Sequence, residues 1–574
     1  MQGKNKRDHI TENAMPNPTT IASETSVLLE GLIVLVGVLC CTNVIHGEFV
    51  FDDKFAIVSN ADVRSSSPWY DMFLHDFWGM PIRNILSNKS YRPLVTLTFR
   101  ANYFFSELRP FAYHATNIML HGVATLLFVQ CAKGLLKDNI TTAYGAGLLF
   151  AVHPAHTEAI CNVVGRAELM SFIFTLTALN VIVGDKSARL SVASRAFVVL
   201  CGVCAYLSKE TGLLVFPLCT WYVVCFRFRS WSQCLGCTLP WVGAFFSFLF
   251  VRAYLLGFEV SPNFTPVDNP LYFEKNRTKR ALGITQVHME YTRLLFYPQT
   301  LSCDYGPSSL PPCESLDSRM GINPCAATAL MMYFVYLFAG LYSYMKYREG
   351  KRAFLFAFVW FMVSVYPLSH LGLNIGTLVA ERLLYTPSAP FLLWCASLAS
   401  THLARVGRNM KPLFYGLFMI LAFWWAYRSM ERSKDWVDAK VLFESSLAVF
   451  PKNSRMNNNL GTMLLRDSVR AGVEKRSILA SALFHFETAT KYSPTHAMAW
   501  HNRGLVHLMQ GNTKHSLEFF ERALLLEPRA TLILNNYGIA LERMNRKEEA
   551  KKIFGQVEQI LHHGVEPRNR PGFS

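Results

Sequence analysis

Apolar residues run along this chain in long blocks rather than in short alternating patterns. A helix needs roughly 17 to 25 mainly apolar residues to cross the hydrocarbon of a bilayer, and residues 26–45 are the first segment to supply them. Further blocks centre on Leu120, Leu148, Thr175, Val199, Val215, Phe246, Phe334, Phe361, Leu393 and Phe418, so the pattern predicts about eleven membrane helices. The blocks at Leu148, Val199 and Val215 are short and depend on neighbouring helices. Two long polar connections, 46–110 and 257–324, interrupt the series.

From about Ala439 the apolar runs shorten and a 34-residue self-similarity begins, the period of the tetratricopeptide (TPR) helical hairpin. One copy has Trp500, Gly504, Phe520, Ala523 and Pro528; the next has Gly538, Ala550 and Phe554. An earlier copy has Leu460, Gly461, Ala482, Phe486, Ala489 and Pro494, with about nine extra residues between its two helices. A half-repeat with Ala439, Phe443, Ser446 and Pro451 precedes it, so the array is expected directly off the last membrane helix. In such hairpins the glycine admits close helix approach and the proline ends the second helix. The module usually grips an extended peptide or another protein; the plainer alternative is a cap that stabilises the membrane part. The predicted fold class is all-α: a polytopic membrane helical bundle followed by a short TPR α-solenoid.

Composition agrees, with 51% hydrophobic and only 17% charged residues. The basic residues then orient the helices, because Lys and Arg are retained on the cytosolic side. Connections after helices two, four, six, eight and ten carry Lys133 and Lys137; Lys186, Arg189 and Arg195; Arg227 and Arg229; Lys346, Arg348, Lys351 and Arg352; and Arg405, Arg408 and Lys411. The short connections after helices three, five and nine hold only Arg166, Lys209 and Arg382. With Lys4, Lys6 and Arg7 ahead of helix one, the N-terminus is expected in the cytosol, and an odd helix count puts the C-terminus and the TPR repeats in the lumen. Helix one reads as an uncleaved signal anchor. The net charge of +16 is thus largely topological, which argues against nucleic acid as a partner.

Three glycosylation sequons, at Asn88, Asn263 and Asn276, fall in the two long loops assigned to the lumen. Cys303 and Cys313 lie in the second of these loops and are candidates to pair in an oxidising compartment. Cys234 and Cys237 have the spacing of a redox or zinc pair, but sit at a cytosolic helix end with no second pair, so filler is the plainer reading.

Ionisable groups gather at the lumenal helix ends, where charge is costly and therefore informative. Asp52 and Asp53 follow helix one, and Arg92 follows in the same loop. His114, Asn117 and His121 share one face of helix two. The next lumenal turn holds His153, His156 and Glu158, then Arg166 and Glu168; Lys209 with Glu210 and Glu381 with Arg382 complete the set. The histidines with Glu158 are a minority candidate for zinc, against which Pro154 argues; capping of helix ends is plainer, and no metal is expected. A hydroxyl nucleophile needs a base and a phosphate leaving group needs fixed positive charge. Carboxylates with Arg and Lys on one membrane face supply both, the chemistry of glycosyl transfer from a lipid-linked phosphosugar by a single inverting displacement.

The same segments carry a family resemblance. Phe-Val-Phe-Asp52-Asp53-Lys-Phe-Ala-Ile-Val-Ser-Asn60-Ala-Asp62-Val, Tyr91-Arg92-Pro93-Leu94, Tyr113-His114-Ala-Thr-Asn117 with His121, His153-Pro-Ala-His156-Thr-Glu158 through Gly165-Arg166-Ala-Glu168, Ser208-Lys209-Glu210-Thr-Gly212 and Glu381-Arg382-Leu-Leu-Tyr385-Thr-Pro387-Ser388 occur in order, with TPR repeats behind them. In this the chain resembles the transmembrane and TPR repeat-containing protein O-mannosyltransferases.

The resemblance implies a GT-C type dolichyl-phosphate-mannose-protein mannosyltransferase, a multi-pass protein of the endoplasmic reticulum membrane. It would use the lipid-linked donor as substrate, with no certain cofactor, and act on Ser or Thr of secretory-pathway proteins, notably cadherin-type ectodomains, met through the TPR face and the lumenal loops. It maps the catalytic acid of the first lumenal loop onto Asp52 and Asp53, one as base and the other as a positioning group. Arg92, Arg166, Lys209 and Arg382 would face the donor phosphate, with His153, His156, Glu158, Glu168 and Glu210 around the sugar.

The corresponding division is a cytosolic tail 1–25, a membrane catalytic domain 26–430, TPR repeats 431–562 and a tail 563–574. The array departs from the family in having about three repeats where its members carry more. The alternative function is a non-catalytic TPR scaffold or receptor of the same membrane, which predicts that the lumenal charges are dispensable.

Overall fold

In the computed structural model the described residues are 18–84, 87–137, 139–187, 189–227, 230–255, 264–306, 308–310, 324–373, 375–470 and 476–562. The expectations for Lys4, Lys6, Arg7, Arg229, Asn263, Cys313 and the tail 563–574 fall outside them. Each predicted apolar block lies in a helix. Helix α1 spans Pro18–Leu39, and α2 (Pro93–Ser106) lies within the first long loop, where none was expected. The bundle continues with α3 (Pro110–Leu135), α4 (Ile140–Ala151), the single turn α5 (Thr157–Cys161), α6 (Arg166–Gly184), α7 (Val192–Ser208), α8 (Val215–Tyr222) and α9 (Trp231–Leu255). The second long loop holds α10 (Pro270–Phe273) and α11 (Arg277–Phe296), followed by α12 (Pro324–Arg348), α13 (Arg352–Val365), α14 (Tyr385–Leu403) and α15 (Lys411–Asp435).

Five helices are, among the described residues, long and apolar enough to cross a membrane: Pro110–Leu135, Val163–Gly184, Trp231–Tyr254, Cys325–Arg348 and Arg408–Asp435. Of the remaining expected spans, α4 (12 residues), α7 (17) and α8 (8) are short, as expected. Their packing explains why they hold. Helix α3 contacts α1, α4 and α6, while α14 contacts α4 and α13, and one core cluster runs from Ile33 through Phe128 and Phe150 to Trp360 and Leu393. Outward faces stay apolar: Leu28, Leu239, Phe250, Phe338 and Phe423 are exposed, the surface a hydrocarbon solvent requires.

The repeats begin at once after α15. Asp438 caps α16 (Ala439–Val449) by accepting from the backbone of Lys440 and Val441, and three hairpins follow: α17 (Ser454–Arg470) with α18 (Arg476–Tyr492), α19 (Ala497–Met509) with α20 (Thr513–Leu526), and α21 (Thr531–Arg543) with α22 (Lys547–His562). The extra length of the first hairpin goes into its helices, 17 residues each against 13 and 14 in the second. The repeat glycines act alike. A Cβ on Gly461, Gly504 or Gly538 would meet the ring of Phe486, Phe520 or Phe554 at 2.8, 2.9 and 2.5 Å.

The array packs back onto the second long loop. Arg455 of α17 pairs with Asp268 and Asp304, and the Asn453 amide donates to Asp304 and Ser309. Cys303, a candidate for pairing with Cys313, is a free buried thiol in this interface, beside Ser446 and Met456 at 3.2 and 3.3 Å. Cys234 and Cys237 are likewise free. The Cys325 thiol is in a disulfide.

Candidate active site

Two polar cavities meet at the loop after α1. The first, about 460 Å³, runs from the long loops into the bundle between α6, α8, α13 and α14. The second, about 530 Å³, lies between those loops and the TPR helices. Asp52, Trp78, Asn88, Gly376, Thr377 and Arg382 line both and form their shared wall. A larger apolar cavity of about 1060 Å³ between α11, α12, α13 and α14 shares no residue with either and offers mainly methionine and aromatic walls.

The neighbours Asp52 and Asp53 part ways at this wall. Phe51 takes a left-handed backbone (φ +51), a conformation costing a non-glycine residue roughly 1–2 kcal/mol, and the chain turns there. Asp53 points into protein and is fully buried: Oδ1 accepts from the Val164 backbone at 2.9 Å and Oδ2 from that of Val50 at 3.4 Å. Burial pushes its carboxyl up to about 7, against the pull of these backbone donors. Asp52 lies in the wall, and among the described residues nothing donates a hydrogen bond to its carboxylate. Burial raises its pKa, Arg382 works against that, and Glu158 adds to it.

Three cation–carboxylate pairs line the first cavity or its edge. Arg92 donates from Nε and Nη2 to Glu210 at 3.2 and 3.1 Å, and its guanidinium lies 5.0 Å from the Phe77 ring centre. Lys209 pairs with Glu168, and Arg382 with Glu158, which also accepts from the Arg382 backbone at 2.9 Å. Burial works to raise Glu210, but Arg92 and then Arg252 overcome it and hold the carboxyl at about 2. These pairs fix the cations without exhausting them. Nη1 of Arg92 and Nε and Nη2 of Arg382 have no partner among the described residues.

Other expected site residues lie elsewhere. Arg166 is fully buried, donating to Asn117, Thr98, Asn102 and the Tyr113 carbonyl at 2.6 to 3.1 Å, with its guanidinium 4.7 Å from the Phe99 ring centre. It lines neither cavity, because α2, α3 and α6 close around it. His153 accepts from the Ala155 backbone and reaches the Leu295 carbonyl, and His156 bonds Ser388 at 2.7 Å. Burial keeps both imidazoles neutral, pulling His153 down to about 4. His153 caps the turn ahead of Glu158, and His156 holds it against Ser388. Glu381 accepts from Tyr305 and the Ser302 backbone at 2.7 and 2.6 Å, away from the cavities. Among the described residues no group of His, Cys, Asp and Glu has the arrangement of a metal site.

Of the sequons, Asn276 is an exposed cap of α11, whereas Asn88 stands in the shared wall with its Oδ1 accepting from Ser90. Some lining residues were not expected. Arg252, near the end of α9, lines the first cavity, and its signal was a lone arginine at the loop end of an apolar helix. Asp268, Asp304 and Arg455 line the second, and no local pattern distinguishes them from solvated charge.

Comparison with known proteins adds a family. Residues 259–333 match the family model described as Protein O-mannosyl-transferase TMTC, DUF1736, and residues 497–530 a tetratricopeptide repeat. A protein O-mannosyl-transferase of Caenorhabditis elegans is 32% identical over 449 residues, covering 77% of this chain and 61% of that protein. Protein O-mannosyl-transferase TMTC3 of Homo sapiens is 31% identical over 93% of this chain and 60% of its own length. For TMTC1 of Homo sapiens the figures are 29%, 81% and 55%. The chain spans about three fifths of the length of the curated relatives it matches.

Proposed function

Since this chain belongs to the TMTC family of membrane proteins with tetratricopeptide repeats, we propose that it is a protein O-mannosyltransferase that moves mannose from dolichyl-phosphate-mannose to Ser or Thr hydroxyls of secretory-pathway proteins. Cadherin-type ectodomains are the proposed acceptors, and the endoplasmic reticulum lumen the proposed side of action. The observation that carries this reading is Asp52: a carboxylate that receives no hydrogen bond among the described residues, in a wall that two polar cavities share.

The donor head group occupies the first cavity, its phosphate against Arg92, Lys209 and Arg382 and its isoprenoid chain leaving past Leu218, Trp360 and Val363. The acceptor hydroxyl arrives from the second cavity. As its oxygen bonds to mannose C1, the bond from C1 to the phosphate oxygen breaks with inversion, Asp52 takes the hydroxyl proton, and dolichyl phosphate leaves with the electron pair. A raised pKa suits Asp52 to that role, since a base works best when its pKa nears the working pH. Asp53 holds the loop against α6 as a positioning residue, and the three cations offset charge developing on the phosphate.

The test is transfer by the full chain in lipid nanodiscs, given dolichyl-phosphate-mannose and a cadherin-type domain. The intact chain should transfer mannose, and Asp52→Asn should slow transfer by about 10²–10⁴-fold with unchanged thermal stability. Full transfer by Asp52→Asn overturns the base; no transfer by the intact chain leaves the scaffold reading in its place.

A further inference from the structure

We propose that the second cavity binds its acceptor as an extended strand of polypeptide, gripped through the backbone by the paired amides of Asn458 and Asn459 in the first TPR helix. The inference rests on the catalytic reading above and specifies the form of its acceptor.

Three observations carry it. Both asparagines line the cavity and are more than nine-tenths buried, with exposures of 4% and 8%. The Asn459 side chain makes no hydrogen bond among the described residues, and its amide opens onto the cavity. Asn458 accepts through Oδ1 from Asn502 at 2.9 Å, and its Nδ2 has no acceptor among the described residues. Donors and an acceptor so placed match the C=O and N–H groups that an extended peptide leaves unpaired along its edge.

The cavity's chemistry fits the same occupant. Arg455 is spent on Asp268 and Asp304, so the wall beside the asparagines offers little free charge for a second phosphate or an ionic head group. Phe55, Val267 and Met498 supply apolar surface for side chains flanking the acceptor hydroxyl, and Asp52 lines the same cavity. About 530 Å³ admits a few residues of extended chain, as one strand at the surface of a cadherin-type domain would present.

The full chain in nanodiscs, without donor, is titrated with a fluorescein-labelled ten-residue peptide of alternating valine and threonine. The same peptide N-methylated on alternate backbone amides serves as the comparison. Saturable binding is expected, weakened about tenfold by Asn459→Ala and by N-methylation. N-methylation needs no variant protein, so the result stands even where an asparagine substitution fails to fold. Absent saturation, or equal affinity for the plain and methylated peptides, overturns the proposal. With donor added, transfer by Asn459→Ala at unchanged KM overturns it alone, whereas intact peptide binding without any transfer overturns only the catalytic reading.

Discussion

The guanidinium of Arg455, on the first TPR helix, lies 2.7 Å from the carboxylate of Asp304 in the second long loop. The same group reaches Asp268 at 2.9 Å, so one side chain ties the repeats to the loop that walls the second cavity. Asp268 and Asp304 are nearly buried, and removing Arg455 takes away the cation that both carboxylates share. Arg455→Ala should therefore loosen the repeats by about 3 kcal/mol. Hydrogen exchange across α16 and α17 reads the loss, and Asp268→Asn with Asp304→Asn in the same chain should recover much of it.

Asp53 makes stability depend on pH. Its folded pKa is about 7 against about 4 for an unfolded aspartate, so between these values the folded chain binds more protons. The contribution is complete below about pH 4 and is lost as pH rises through 7, at up to about 1.4 kcal/mol per unit. Thermal melting of Asp53→Asn between pH 5 and 7 should show a flatter profile than the parent chain. An unchanged slope would assign the dependence to another group.

Two arginines of similar sequence context should fail differently. Arg92→Lys keeps the charge but loses the fork that grips Glu210, so donor KM should rise about tenfold with the fold intact. Arg166→Lys strands oxygens of Asn117, Asn102 and Tyr113 inside the bundle, so folded yield and melting temperature should fall instead. Size-exclusion yield beside donor titration separates the two.

Gly504 sits under Phe520, and a methyl there would approach the ring to 2.9 Å. Gly504→Ala should cost about 1–3 kcal/mol through overpacking. The loss should show as faster proteolysis within α19 and α20, with peptide affinity at Asn459 reduced less than stability.

The bundle and the repeats were legible because each leaves a local periodic trace. Apolar blocks found most helices of the bundle; α2 escaped because its 14 residues are too few for a span, and α11 because it is polar. The 34-residue period placed all three hairpins and the half-repeat, since one glycine and one aromatic recur at fixed spacing for a local packing reason. The site was legible in part. Arg92, Lys209, Glu168, Glu210 and Arg382 do converge with Asp52, while Arg166, His153 and His156 turn inward.

By itself the sequence determined that this is a helical membrane bundle with three TPR hairpins, and that acids, bases and cations crowd one set of loops. Hydrophobic spacing and repeat period settle such things, because they depend on burial within a few residues of chain. Only the tertiary structure set adjacent Asp52 and Asp53 apart, the first in a cavity wall and the second buried in protein. That difference turns on a left-handed Phe51 and on a backbone N–H at Val164, 111 residues away, and no local pattern encodes a partner so distant.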